Sequence, residues 1–215
     1  MIKPVVLASS SPRRRELLEK TGLKFVVDAA GINEDHGRRM RPAGLAKIIS
    51  LEKAKAVAGR HPGSVIIAAD TFGMLGGRLL GKPRDAEEAR DMLKRMGGRR
   101  HRVVTGFTIL DTETGKTVSK AVETRVYFRK LGKEEIAAYV RTGEPLDKAG
   151  AYAIQGLGAQ LVEKIEGDYY NVIGLPLSAL ARELNKFGVS VPSGLIPVAP
   201  RIHRLTSPLK KPPVN

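Results

Sequence analysis

The chain has 215 residues, 42% of them hydrophobic, which is enough for a folded core. It has no cysteine, which excludes disulfides, cysteine nucleophiles and thiolate metal sites, and no apolar run of about 18 residues, which argues against a transmembrane helix. The formal net charge of +15 favours polyanionic partners, namely nucleic acid, acidic membrane surfaces or phosphorylated small molecules.

The first predicted elements are a strand over residues 3–9 and a helix over residues 12–21, with Ser11 as N-cap and Pro12 at the first helical position. The next side chains are three arginines, Arg13, Arg14 and Arg15. A helix N-terminus offers unpaired N–H donors, and a guanidinium matches phosphate oxygens in a bidentate way. The pattern therefore predicts an anion site, most simply for phosphate. The alternative is a basic helix end on the surface.

Further elements alternate along the chain, and most are bounded by glycine, proline or capping residues. In the first half they are a strand at 24–28, a helix at 45–60, a buried strand at 64–69, a hairpin over 71–80 that turns at Gly76-Gly77, and a helix at 85–96. In the second half they are an antiparallel pair at 102–111 and 116–130, a helix at 133–142, a hairpin of 160–165 with 170–173, and a helix at 176–187.

These elements predict an α/β protein of the mixed α+β type, with a mixed central sheet and flanking helices.

The amino-acid composition changes at Ser190. From there to residue 215 lie six of the thirteen prolines, four Lys or Arg and no acid. We therefore expect one domain over residues 1–189 and a basic, proline-rich, extended or disordered tail over 190–215.

Four polar residues at or between these elements are candidates for chemistry. Asp70 follows a buried strand, where a carboxylate can hold Mg²⁺ or activate water, although a strand-end aspartate can also cap a turn. Lys82 lies in Gly81-Lys82-Pro83, which is a phosphate contact or a surface turn. Glu34 lies in a polar loop, and Lys53 lies in a helix, where lysines usually face solvent.

Gln155 lies in an apolar, glycine-bounded segment, and its amide offers both a donor and an acceptor to a base edge. The alternative is that it satisfies a neighbouring loop. The four histidines, His36, His61, His101 and His203, are scattered and predict no metal cluster. No Walker loop or serine-nucleophile elbow is present.

Five segments, taken in order, resemble the Maf family of nucleotide pyrophosphatases, and the resemblance covers residues 1–189. They are Leu7-Ala8-Ser9-Ser10-Ser11-Pro12-Arg13-Arg14, Ala69-Asp70-Thr71, Gly81-Lys82-Pro83, Asp147-Lys148-Ala149-Gly150-Ala151-Tyr152-Ala153-Ile154-Gln155-Gly156 and Asn171-Val172-Ile173-Gly174-Leu175-Pro176. Each segment is a weak signal alone, but five in order are specific. The tail has no counterpart in the family.

The resemblance implies a sheet with flanking helices around a deep cleft, similar to the inosine triphosphate pyrophosphatases. It implies hydrolysis of nucleoside triphosphates between the α- and β-phosphates, with Mg²⁺ or Mn²⁺. The segment around Gln155 resembles the dTTP and UTP branch rather than the 7-methyl-GTP branch. The family is also linked to inhibition of septum formation and cell division. A homodimer is implied by the resemblance alone, and the absence of cysteines and of a leader pattern favours the cytoplasm.

Residue roles follow from the same resemblance. Asp70 matches the principal catalytic carboxylate and Glu34 a second acidic position, and both are implied metal ligands. The other implied roles are phosphate binding by Ser9, Arg13 and Arg14, charge neutralisation on the triphosphate and the leaving pyrophosphate by Lys53 and Lys82, and base contact by Gln155. Phe72 departs from the family, which commonly has a small β-branched residue there, so the wall behind Asp70 is expected to differ.

The competing hypothesis is a nucleic-acid-binding protein or division regulator with a vestigial nucleotide cleft. It is motivated by the net charge and by the basic tail at 190–215, and it predicts tight, salt-sensitive binding of nucleic acid. The chain has only five Tyr, five Phe and no Trp, so it shows no platform of interleaved basic and aromatic residues. The hydrolase is therefore the favoured interpretation, with no membrane partner.

Overall fold

The computed structural model describes residues 3–191, and the strands in this part of the chain form one mixed seven-stranded sheet. The strands are Val5–Leu7 (β1), Val26–Val27 (β2), Val65–Leu75 (β3), Arg78–Leu80 (β4), Arg100–Asp111 (β5), Thr117–Phe128 (β6) and Val162–Glu166 (β7). Their order across the sheet is β2-β1-β3-β5-β6-β7, and β4 pairs with the far end of β3. The strands β1, β2 and β3 are parallel, whereas β3, β5, β6 and β7 pair antiparallel.

Six α-helices and three short 3₁₀ helices connect the strands of the described part. The α-helices are Pro12–Glu19 (α1), Pro42–Ala58 (α2), Ala86–Met96 (α3), Lys133–Arg141 (α4), Tyr169–Ile173 (α5) and Leu177–Leu184 (α6), and the 3₁₀ helices are Glu144–Asp147, Leu157–Leu161 and Asn185–Phe187. Within residues 3–191, no helix combines the length and apolar character needed to cross a membrane.

Both faces of the central strands are covered, as the continuous apolar runs predict. Alternate residues of β1 and β3 belong to two different core clusters: Leu7 and Ile67 pack with residues of α1, α3 and α6, whereas Val6 and Ile66 pack against α2. The helix α2 therefore forms its own layer on one face of the sheet.

The backbone of α2 lies directly on β5 at Gly106. A Cβ atom at Gly106 would lie 2.2 Å from the carbonyl carbon and oxygen of Ala46, a distance that only glycine allows. Gly106 is the partner of Asp70 across the β3–β5 pair. Lys53 lies about two turns beyond Ala46 on the same helix. The close contact therefore sets α2 at the height at which Lys53 can reach Asp70.

Most predicted elements are confirmed with boundaries shifted by a few residues, including the Asp85 N-cap, which accepts the Glu88 N–H, and the turn at Gly76-Gly77. Two expectations are wrong. The strand β3 does not end before Asp70 but continues to Leu75, so Asp70 lies within the strand. Residues 170–173 form no hairpin with β7 but lie in α5, because the Asp168 side chain caps this helix. The expectation for the tail lies outside the described residues.

Candidate active site

A cluster of opposite charges lies between β3, α2 and the loop that precedes α2. The Nζ of Lys53 is 2.8 Å from Oδ1 of Asp70 and 2.8 Å from Oε1 of Glu34. Asp70 and Lys53 are almost fully buried, and the side chain of Glu34 is 40% exposed. One ammonium group thus bridges a buried carboxylate and a carboxylate open to solvent.

Asp70 remains ionised in this cluster. Burial raises the pKa of its carboxyl, but the charge and hydrogen bond of Lys53, with Arg14 and His36, outweigh burial and hold the pKa below its ordinary value. A buried carboxylate that keeps its charge is suited to hold a cation or to accept a proton.

His36 completes the cluster, and sequence reasoning missed it. Its Nε2 is 2.9 Å from Oδ2 of Asp70 and 3.8 Å from Oε2 of Glu34, and its ring meets Phe72 edge-on at 5.7 Å. The histidines were predicted to be scattered and to form no metal cluster, but the structure groups His36 with Glu34 and Asp70. Its position two residues after Glu34 in a polar loop was the available signal.

Glu34, His36 and Asp70 each offer one ligand atom, and these atoms lie within 4.8 Å of one another. Two carboxylates and an imidazole form a donor set that suits Mn²⁺, and the carboxylates alone suit Mg²⁺. The arrangement therefore fits a divalent cation, which would compete with Lys53 for the two carboxylates.

Arg14 is fixed beside this cluster by three contacts. Its Nε donates to the carbonyl of Gly174 at 3.0 Å, Nη1 donates to Oγ of Ser9 at 3.3 Å, and Nη2 donates to Oγ1 of Thr71 at 3.1 Å. Burial lowers the pKa of the guanidinium, but an arginine in a protein keeps its charge. Three of the five sequence segments thus meet at one cation: the segment with Ser9 and Arg14, the segment with Thr71, and the segment with Gly174.

The three arginines of α1 have different surroundings. Arg15 is exposed and pairs with Glu19, whereas Arg13 lines the cleft and forms no ion pair or hydrogen bond within residues 3–191. Ser11 is the N-cap residue as predicted, but its side chain makes no capping hydrogen bond; its N–H donates to Oγ of Ser9 at 3.2 Å. Of the three arginines, Arg13 and Arg14 therefore line the cleft, whereas Arg15 does not.

A cleft of about 170 Å³ extends from Arg14. Its lining includes Arg13, Arg14, Lys82, Lys148, Tyr152 and Gln155. The N–H of Gly150 donates to the carbonyl of Gly81 at 3.0 Å, so the segment containing Lys82 lies beside the segment containing Gln155. A smaller cavity of about 80 Å³, lined by Ser9, Glu34 and Lys53, shares Ser11 and Arg14 with the cleft. Arg14 therefore stands between the charged cluster and the cleft.

Part of the cleft lining is neutral and aromatic. The Nε2 of His101 lies 2.9 Å from the hydroxyl of Tyr152, and both rings meet Phe128 edge-on. Burial lowers the pKa of His101 to about 4 and raises the pKa of Tyr152, so both groups are neutral near pH 7. Gln155 lies on the exposed rim of the same cleft. The lining of the cleft thus combines cationic side chains with neutral aromatic ones.

The sequence matches a known protein family over most of its length. The family model described as "Maf-like protein" matches residues 4–187. The chain belongs to the Maf family. The proteins named dTTP/UTP pyrophosphatase from Methanosarcina barkeri and Pelotomaculum thermopropionicum are 49% and 47% identical to this Maf chain. Each alignment covers 88% of this chain, with 97% and 100% of the respective relative.

Among solved structures, the Ham1 protein of Staphylococcus aureus aligns with a TM-score of 0.47 and 15% identity, over 86% of this chain and 100% of that chain. The HAM1 protein of Coxiella burnetii aligns with a TM-score of 0.45 and 15% identity, over the same shares.

All eight site residues predicted for this Maf protein lie around the two connected cavities or in the charged cluster beside them. Lys53 contacts both Asp70 and Glu34, Ser9 accepts a hydrogen bond from Arg14, and the cleft is lined by Arg13, Lys82 and Gln155. Sequence reasoning missed His36, Thr71 and the carbonyl of Gly174. The signals available were the motifs that contain Thr71 and Gly174, and the position of His36 two residues after Glu34.

Proposed function

We propose that this protein hydrolyses nucleoside triphosphates, with dTTP and UTP favoured, to a nucleoside monophosphate and pyrophosphate. The observation that carries the proposal is the ionised, buried Asp70 held by Lys53 beside the fixed guanidinium of Arg14. The relatives named dTTP/UTP pyrophosphatase, aligned over nearly their whole length, support the same substrates.

In this proposal the cations bind and neutralise the triphosphate. Arg13, Arg14 and Ser9 contact phosphate oxygens, and Lys53 and Lys82 offset charge on the triphosphate and on the leaving pyrophosphate. Arg13 and Lys82 are suited to this because neither is engaged by an ion pair or hydrogen bond in the described part of the chain. Oriented cations stabilise charge that develops on the phosphate oxygens as the bond breaks.

The carboxylates would hold a divalent cation, Mg²⁺ or Mn²⁺, through Asp70 and Glu34, with His36 as a further donor. When bound, such an ion neutralises phosphate charge and lowers the pKa of water. We assign to Asp70 the further task of accepting a proton from the attacking water, which is supported by its ionised state and by its position next to Thr71, a contact of Arg14. Cytoplasmic location and assembly as a homodimer are further expectations from the family resemblance.

Gln155 is proposed to contact the base. Replacement of Gln155 by Ala should lower the preference for dTTP and UTP over dGTP by about tenfold, roughly the contribution of one hydrogen bond, with a smaller change in kcat. The measurement is kcat/KM on each nucleotide. Gln160→Ala, at an exposed glutamine outside the cleft lining, is the matched control. Equal losses on every nucleotide would exclude base recognition by Gln155.

The proposed substrate range is tested by pyrophosphate release from dTTP, UTP, CTP, dGTP, 7-methyl-GTP and ITP, with Mg²⁺ or Mn²⁺. We expect turnover of dTTP and UTP above the others. Preference for 7-methyl-GTP would retain the pyrophosphatase reaction but refute the substrate assignment. No turnover by folded protein would refute the hydrolase and favour the nucleic-acid-binding or division-regulating hypothesis.

A further inference from the structure

The side chain of Gln155 is not held in place by hydrogen bonds of its own. It forms no hydrogen bond with any of residues 3–191, and it lies on the exposed rim of the cleft. Its amide can be directed toward a base only if the backbone around it is held in place. The contacts that hold the backbone of residues 153–158 therefore decide where the amide lies.

We propose that Tyr139 and Glu144 are positioning residues that fix this backbone and thereby set the preference for the nucleotide base. Neither residue lines the cleft. The inference rests on the proposed function, since it assigns these two residues a task in the recognition attributed to Gln155.

One carboxylate holds the chain after Gln155. Oε2 of Glu144 accepts the N–H of Leu157 at 2.9 Å, and Oε1 accepts the N–H of Gly158 at 2.9 Å. Oε1 also accepts the hydroxyl of Tyr139 at 2.7 Å. Hydrogen bonds to a charged acceptor are stronger than bonds between neutral groups.

The phenol oxygen of Tyr139 holds the chain before Gln155. It accepts the N–H of Ala153 at 3.2 Å while its own proton is donated to Glu144. Ala153 and Leu157 lie two residues to either side of Gln155. The Tyr139–Glu144 pair thus ties down both ends of the segment that presents the amide.

Close packing supports the same conclusion. A Cβ atom at Gly156 would lie 2.2 Å from Oε2 of Glu144, and one at Gly158 would lie 2.6 Å from the hydroxyl of Tyr139. The two glycines allow the backbone to approach the pair closely enough for these hydrogen bonds.

The protonation states keep the network intact near pH 7. Burial raises the pKa of Glu144, but hydrogen bonds from Gly158, Tyr139 and Leu157 outweigh it, and the net pKa is below the ordinary value. Burial and the bond to Glu144 raise the pKa of Tyr139, so its proton remains available for donation.

The turn at Ala151, just before this segment, has an unfavourable backbone conformation that other contacts must hold. Ala151 has a φ of +57°, in the left-handed region that residues with a Cβ atom rarely adopt. Such a conformation persists where neighbouring contacts hold it. The hydrogen bond to Ala153, two residues later, is one of those contacts.

The test is Tyr139→Phe, which removes one oxygen and retains the buried ring. KM for dTTP and UTP should rise about tenfold, with kcat changed by less than about threefold, and preference over dGTP should fall. Glu144→Gln should produce the same shift, and it serves as a second variant if Tyr139→Phe folds poorly. Tyr127→Phe is the matched control, because it loses a 2.7 Å bond to Glu166 outside the cleft lining.

The route through Gln155 is tested by the double variant Tyr139→Phe, Gln155→Ala. Its base preference should equal that of Gln155→Ala alone, because both changes remove the same interaction. The inference would be overturned if the losses of base preference were additive in the double variant, or if Tyr139→Phe kept the wild-type preference. The proposed function would still stand in either case, provided that Gln155→Ala alone changes the base preference. Absence of turnover in the wild type would overturn both.

Discussion

Replacement of Asp70 by Asn is expected to lower kcat for pyrophosphate release from dTTP by at least about a hundredfold, the scale of lost general acid–base catalysis. The amide keeps the size of the side chain but can neither accept a proton nor neutralise a cation. It also leaves the buried Lys53 with Glu34 as its remaining carboxylate partner. The effect should therefore fall on the chemical step.

The matched control is Asp28→Asn, which removes a carboxylate paired with Arg60 and His61 outside the lining of the two cavities. Its turnover should remain near that of wild type. Circular dichroism and thermal unfolding establish that both variants are folded. Near-wild-type turnover by folded Asp70→Asn would remove Asp70 from the mechanism.

Replacement of Gly106 by Ala is expected to lower the free energy of unfolding by about 3 kcal/mol, at the upper end of ordinary overpacking costs. The added methyl group would meet the backbone of Ala46 at 2.2 Å, and a helix backbone cannot move aside as a flexible side chain can. Any outward shift of α2 would also separate Lys53 from Asp70, so turnover should fall. Urea unfolding at fixed pH measures the loss of stability.

Gly59→Ala provides the comparison for this variant. Gly59 caps the end of the same helix with a φ of −66°, and nothing lies within 4 Å of a Cβ atom there. Its substitution should leave stability unchanged or raise it slightly. If Gly106→Ala proved as stable as Gly59→Ala, the close contact between α2 and β5 would not be a constraint on this fold.

The sheet and most helices were predictable because the local sequence signals, such as capping residues, indicate the same elements as the pattern of apolar residues. The apolar runs of β1 and β3 indicate burial on both faces, and Asp85 caps α3 as its sequence predicts. The course of β3 was not predictable, because a charged residue ordinarily ends a buried run. Here Lys53 offsets the charge of Asp70, so the strand continues through it.

The error at α5 has a different physical cause. Residues 170–173 have a composition that suits a strand, but the Asp168 side chain accepts the N–H of Asn171 and starts a helix. Nδ2 of the buried Asn171 then donates to the carbonyl of Val103 and to Oγ1 of Thr124. Those tertiary partners lie far away in the sequence, and no local pattern reveals them.

The candidate site was predictable where short motifs carry it and not where long-range packing creates it. Ser9, Arg14 and Asp70 lie in motifs. From its sequence context, Lys53 is indistinguishable from an exposed helical lysine, and only the packing of α2 on the sheet brings it to Asp70. His36 contacts Asp70, which lies 34 positions later in the sequence. The proximity of His36 to Asp70 depends on the path of the loop before α2, which no local sequence pattern determines.

We propose that the charged cluster and Arg14 promote hydrolysis of the bond between the α- and β-phosphates. The most direct test is to incubate the wild-type protein with dTTP and Mg²⁺ and to quantify every product. We predict dTMP and pyrophosphate in equal amounts, with no dTDP. Formation of dTDP and orthophosphate, or no turnover by folded protein with either Mg²⁺ or Mn²⁺, would contradict the claim.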